Sequence, residues 1–187
     1  INIINMSSVK TKLFEEIFNP KKLEAFVLPK RIVEEFPDGR VENNYLFHGV
    51  AGIGKSSLAI FLASNKYNCY ILNASLEGSI DQLRQGSDLY EFCNTSSILG
   101  GDLKKVVVLD ELNGVSKSFF EGLKGFIDKF KKIGIVFIGT TNYIEDIEPA
   151  ILSRLKAIPF DLNPDEIKTH KVNFTNRIKL ILDKISV

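Results

Sequence analysis

The sequence has no tryptophan, one methionine, two cysteines and six prolines in 187 residues. Two cysteines, Cys69 and Cys93, are too few and too far apart for a disulfide framework or a metal cage. They fit structural thiols in a reducing compartment, and the chain is expected to be soluble and cytoplasmic. Charge of one sign is also missing: 24 basic against 23 acidic residues leave a formal +1. Nothing in the whole-chain field therefore points to nucleic acid or membrane, and any DNA contact has to be local. Long apolar runs are absent as well, because 106–109 and 135–138 are strand-sized, and no membrane contact is expected. Residues 1–5 lack the basic and apolar regions of a secretory signal, and translation is expected to begin at Met6.

What the chain does have is 44% hydrophobic and 25% charged residues, the balance of one globular domain. After a lead interrupted by Pro20 and Pro29, short apolar runs alternate with helical patterns. Strands are predicted at 45–48, 69–73, 106–110, 134–140 and 157–160. Helices are predicted at 30–36, 55–63, 79–92, 116–130 and 148–154. Such alternation predicts an α/β fold with a parallel sheet covered on both faces. Asn163 and Pro164 open a last predicted helix over 164–185, with Ile167, Phe174, Ile178, Ile181, Leu182 and Ile185 near helical spacing. The expected division is a core over 1–162 and the start of a second module over 163–187.

The octapeptide from Gly49 to Ser56 (GVAGIGKS) fits G-x-x-x-x-G-K-[ST] at every fixed position, directly after a predicted strand and before a predicted helix. Chance would place such a match somewhere in this length with a probability of roughly 1%, and its placement lowers that. Glycines let backbone N–H groups converge on a triphosphate, and the helix that follows adds a favourable dipole. Gly49, Gly52, Ile53, Gly54, Lys55, Ser56 and the adjoining Ser57 are therefore the predicted phosphate cradle. Lys55 is expected at the β- and γ-phosphates and Ser56 on Mg²⁺.

Four apolar residues, 106–109, lead into Asp110 and Glu111, so both carboxylates are predicted at the C-terminal edge of a buried strand, where open α/β sheets bind ligands. Alone, such a pair reads as a strand end. Beside a phosphate loop, Asp110 is the candidate Mg²⁺ holder and Glu111 the candidate general base. The strand after it ends in Gly139-Thr-Thr-Asn142, and Asn142 is placed to hold the attacking water or touch the γ-phosphate. Asn73 ends the second strand, where a plain turn role competes with a hydrogen bond to Glu111.

These residues resemble the AAA+ ATPases, and within them the clamp-loader subunits of the phage and replication-factor-C kind. Asn19-Pro20 ahead of Phe26-Val27-Leu28, the phosphate loop, the acidic strand end, Thr140-Thr-Asn142 and Pro149-Ala-Ile-Leu-Ser-Arg154 carry the match over about residues 11–162. The resemblance implies a P-loop sheet ordered 5-1-4-3-2, ATP or ADP with Mg²⁺, and adenine near Val27 and Leu28. Asn142 takes the sensor 1 position, and Arg154 becomes an arginine finger acting on a neighbour's ATP. Where the family writes Ser-Arg-Cys, this chain has Ser153-Arg154-Leu155. Family members continue into a helical lid and a collar, whereas 163–187 corresponds to the first lid helix.

The implied partners are other clamp-loader subunits, a sliding clamp and primer-template DNA, the last near Arg84 and Gln85. The implied activity is ATP hydrolysis in DNA replication, weak in an isolated chain. Helicase loaders and branch-migration motors share most of these features. A P-loop phosphotransferase is the reading of another class, but it leaves Asn142 and Arg154 without a purpose. A nonhydrolysing scaffold conflicts with the presence of Lys55, Asp110, Glu111 and Arg154.

Overall fold

The computed structural model describes residues 20–95 and 104–185. Met6, the expected start, and the segment ahead of Pro20 lie outside the described residues. Among the described residues five parallel strands form one sheet: β1 (Tyr45–His48), β2 (Asn68–Asn73), β3 (Lys105–Asp110), β4 (Val136–Thr141) and β5 (Lys156–Pro159), in the spatial order β2-β3-β4-β1-β5. This is the order implied by the resemblance. The helices are α1 (Lys30–Glu35), α2 (Lys55–Lys66), α3 (Ala74–Glu77), α4 (Asp88–Asn94), α5 (Lys117–Lys131), α6 (Pro149–Leu152) and α7 (Pro164–Ile185).

The unbroken apolar run of β3 reflects burial from both sides. Val106 and Val108 face a cluster with Leu58, Leu62 and Phe160, while Val107 and Leu109 face one with Phe119, Leu123 and Ile127. Successive side chains of a strand point to opposite faces, so a strand covered by helices on both sides needs apolar residues at every position. On the first face α2 supplies the cover; on the second α5 does. Ser116 starts α5, its Oγ accepting the Phe119 N–H at 3.2 Å. Phe137 of β4 is fully buried, its ring 6.0 Å from that of Phe126. Phe137→Ala is expected to cost about 3–5 kcal/mol, the range for deleting a buried phenyl group, measurable as a lowered urea midpoint with unchanged slope.

The helix predicted over 79–92 does not form as one piece. A 3-10 turn, Ile80–Leu83, is followed by a break and then α4. Gly86 takes φ +92°, and Ser87 Oγ accepts the Tyr90 N–H at 3.1 Å while donating to Gln82 O at 2.6 Å. A left-handed glycine followed by a serine cap ends one helix and begins another. Arg84 and Gln85 consequently sit in an exposed turn rather than on a helix, with Arg84 paired to Asp81 at 2.6 Å. Smaller departures are α3, which was not predicted, and boundary shifts of one to three residues in every other predicted element except β1 and α7; the helix predicted over 148–154 ends at Leu152, so Arg154 lies beyond it.

The helix α7 spans the predicted residues. Asn163 and Glu166 form a reciprocal cap, the Asn163 N–H donating to Glu166 Oε2 at 3.0 Å and the Glu166 N–H to Asn163 Oδ1 at 2.9 Å. One guanidinium ties this end to the core. Arg31 donates to Glu166 Oε1 (2.9 Å), to the Asp161 carbonyl (2.9 Å) and to the Pro159 carbonyl. One turn on, His170 Nε2 lies 3.1 Å from the Val27 carbonyl. Among the described residues no helix is long and apolar enough to cross a membrane.

Candidate functional site

All five strands run the same way, so the ends of β1, β3 and β4 open on one edge of the sheet. There the phosphate-loop residues Gly52, Gly54, Lys55, Ser56 and Ser57 line a cleft of about 210 Å³ with Glu111, Asn113, Thr140 and Asn142. A cleft of about 530 Å³ lies at the opposite edge, lined by Lys104, Lys131, Arg154 and Lys156. Glu42 lines it too, but Asp110, Glu111 and the phosphate loop do not, so the smaller cleft is the chemical one.

The loop glycines Gly49, Gly52 and Gly54 all take positive φ. Gly54 takes φ +97° and turns the loop into α2. Gly49 takes φ +137°, and a Cβ there would sit 2.9 Å from Asp161 Oδ1. That carboxylate accepts the Val50 N–H at 2.9 Å and so fixes the loop's first turn. Sequence reasoning did not single out Asp161. Its carboxyl becomes visible only when β5 is laid beside β1, 111 residues away in sequence.

Lys55 is 6% exposed and donates to Gly49 O (2.7 Å), Val50 O (2.8 Å) and Asn142 Oδ1 (2.9 Å), which uses its three protons. Burial holds its pKa below the ordinary lysine value, opposed by the charges of Asp161 and Asp110. Neutral acceptors surround a desolvated cation here, an arrangement that favours an incoming polyanion. The first-turn amides of α2 have no intrahelical acceptor, as at any helix start, and open on the same cleft.

Ser56 Oγ and Thr140 Oγ1 both donate to Asp110 Oδ1, each at 2.6 Å. No group of three or more acidic, histidine or cysteine side chains fit for a metal occurs among the described residues. One carboxylate and one hydroxyl suit Mg²⁺, which keeps waters and takes phosphate oxygens rather than a protein cage.

Glu111 adopts φ +56°, a left-handed conformation uncommon for a non-glycine residue. Two bonds hold it there: its N–H donates to Thr140 Oγ1 at 2.9 Å and the Leu112 N–H to Thr140 O at 2.8 Å. Backbone held off its preferred region at a polar strand end is a feature of functional sites. The carboxylate meets Ser75, whose Oγ lies 2.7 Å from Glu111 Oε2 and 2.8 Å from Asn73 Oδ1. Asn73 thus reaches Glu111 only through Ser75, while its own oxygen caps α3. Ser75 was missed because a serine opening a short helix carries no signal by itself.

Val27 and Leu28 are half-buried and follow the 3-10 turn Leu23–Ala25; Leu28 and Ile53 both pack against the cluster that contains Leu58 and Phe160. Arg154 is elsewhere. It follows α6 and precedes β5, at the sheet edge opposite the phosphate loop, and Lys156 N–H donates to Asn44 O at 2.8 Å. The three steps from Tyr45 to His48, paired with Lys156 to Pro159, separate the two edges by roughly 10 Å of strand. Arg154 therefore cannot reach the cleft of its own chain without refolding. Leu155, at the cysteine position of the resembled tripeptide, is a buried core residue. Burial raises the pKa of both thiols, Cys93 to about 12 and Cys69 in the same direction, so neither is an activated nucleophile.

The family model described as "ATPase family associated with various cellular activities (AAA)" matches residues 45–161. Probable replication factor C subunit 5 of Caenorhabditis elegans is 32% identical over 162 residues, 78% of this chain and 44% of the relative. Replication factor C small subunit 2 of Pyrobaculum arsenaticum is 29% identical over 163 residues, 84% and 48% of the two chains. The chain thus spans about half the length of these curated relatives. Among solved structures, a Thermotoga maritima RuvB variant superposes with TM-score 0.61 at 18% identity, over 87% of this chain and 55% of that one. The Aeropyrum pernix Orc1 protein in complex with DNA gives 0.54 at 18%, over 79% and 48%. At these identities the structural likeness speaks for the fold alone.

Proposed function

The chain belongs to the ATPase family associated with various cellular activities, whose chemistry is nucleotide hydrolysis, and from that premise we propose that it is the ATP-switched core of a ring-forming loader of DNA sliding clamps. The observation that carries the ATPase reading is the meeting of Lys55, Ser56, Asp110, Thr140 and Asn142 through bonds of 2.6–2.9 Å beside the left-handed Glu111. The clamp-loader assignment draws its support from the replication factor C relatives.

In this reading Lys55 and the amides of 49–57 hold the triphosphate, and Val27 and Leu28 flank the adenine. Ser56 and Asp110 would hold Mg²⁺, which would supply positive charge beside the phosphates. Glu111 takes a proton from the attacking water, and Asn142 orients that water or the γ-phosphate. Arg154 serves the neighbouring subunit's site. Residues 1–162 form the ATPase core and 163–187 begin a lid. Ser75 restrains the Glu111 carboxylate. Ser75→Ala removes a bond worth about 1 kcal/mol and is expected to raise basal turnover about five-fold, with ATP affinity unchanged. An unchanged basal rate would remove Ser75 from the mechanism.

A second reading, a helicase loader or branch-migration motor, is favoured by Leu155 in place of the clamp-loader cysteine. Turnover measured against protein concentration, with primer-template and sliding clamp or with a four-way junction, separates the two. Stimulation by clamp and primer-template together supports the loader, and stimulation by the junction alone replaces it. Turnover independent of both DNA and concentration would return the chain to the phosphotransferase class.

A further inference from the structure

The guanidinium of Arg154 is already engaged. Nε donates to Asp128 Oδ1 at 2.9 Å and Nη2 to Asp128 Oδ2 at 2.6 Å, a two-point contact across 26 residues between the segment before β5 and the last turn of α5. Nη1 donates to the Ala150 carbonyl and lies 3.4 Å from Ser153 Oγ. An arginine has five N–H groups; the carboxylate takes the paired edge and the backbone takes Nη1. Gripping a phosphate in the same two-point manner needs a free pair of N–H groups and an uncompensated charge. In this arrangement the Nε/Nη2 pair is taken by Asp128 and the charge is compensated.

We propose that Asp128 is a latch on Arg154: in a subunit without its neighbour the carboxylate parks the guanidinium, and ring assembly has to displace it before Arg154 meets the neighbour's phosphates. This rests on the reading of Arg154 as a trans-acting group. The grip is releasable because the pair is partly solvated, with side-chain exposures of 28% for Arg154 and 50% for Asp128. Exposed pairs are worth little, so a competing polyanion can win. The Arg154 hydrogen bond holds the Asp128 carboxyl below its ordinary range, aided by Lys132 and Lys131, so the latch is charged near neutral pH. When Arg154 leaves, Lys131 and Lys132 remain on the same helix end to attend the vacated carboxylate. Asp128 is thus a positioning residue, touching no substrate itself.

The test uses the full-length protein and follows ATP turnover against protein concentration for wild type, Asp128→Asn, Asp128→Glu, Arg154→Ala and the Asp128→Asn/Arg154→Ala double variant. Asp128→Asn is expected to lower the half-activating concentration about two- to five-fold, the scale of an exposed ion pair. Asp128→Glu should stay near wild type, and the double variant should be as inactive as Arg154→Ala. A half-activating concentration unmoved by Asp128→Asn overturns the latch. So does a loss of turnover like that of Arg154→Ala, which would make Asp128 a group that presents the finger. If Arg154→Ala itself leaves turnover intact, the finger reading has failed, and the parked contact is judged separately by NMR exchange of the Arg154 Nε–H in dilute subunits. Slower exchange in wild type than in Asp128→Asn supports the contact; equal rates overturn it.

Discussion

Glu111→Gln is expected to lower ATP turnover by about 10²–10⁴, the contribution of a positioned general base, while ATP binding is retained. The substitution keeps the shape and the left-handed backbone at φ +56°, since Thr140 holds that backbone through the Glu111 and Leu112 N–H groups and not through the side chain. It also keeps an oxygen for Ser75 Oγ, 2.7 Å away in the wild type. Only the ability to accept a proton is removed. Single-turnover hydrolysis beside nucleotide titration separates chemistry from binding. Turnover within a few-fold of wild type would require another base, and the described site offers none so placed.

Arg154→Ala carries the second large effect, a loss of about 10³–10⁵ in the turnover of the assembled oligomer, with little change for a dilute subunit. The sheet dictates this contrast. Arg154 precedes β5 at the N-terminal edge, and Lys55 follows β1 at the C-terminal edge of the same parallel pair. Cutting one side chain therefore cannot touch the chemistry of its own cleft. Mixing Arg154→Ala with Lys55→Ala tests it directly: each variant lacks what the other supplies, and interfaces with Lys55 on one side and Arg154 on the other should regain turnover. A demonstrated mixed oligomer that stays inactive would end the trans assignment.

Much of this was legible because its signals are local. The GVAGIGKS loop, the apolar run into Asp110 and Glu111, and the cap at Asn163 each lie within a few residues. The break in the 79–92 helix is masked in the sequence, since Leu83, Tyr90 and Cys93 keep helical spacings across Gly86. Gly86-Ser87 was the available cue, a left-handed residue followed by a cap. Asp128 with Arg154, Arg31 with Glu166 and Asp161 with Val50 stand 26, 135 and 111 residues apart. Periodicity describes which face of an element is apolar and is silent about such partners. The strain at Glu111 was equally invisible, because it arises from Thr140 on the adjacent strand.

Asp161 has two ends, and they face different machinery. Its carboxylate takes the Val50 N–H of the phosphate loop, and its carbonyl takes Arg31, the same guanidinium that grips Glu166 at the start of α7. The start of the long helix and the first turn of the phosphate loop are thus joined in series through a single residue, and a change at Asp161 meets both at once.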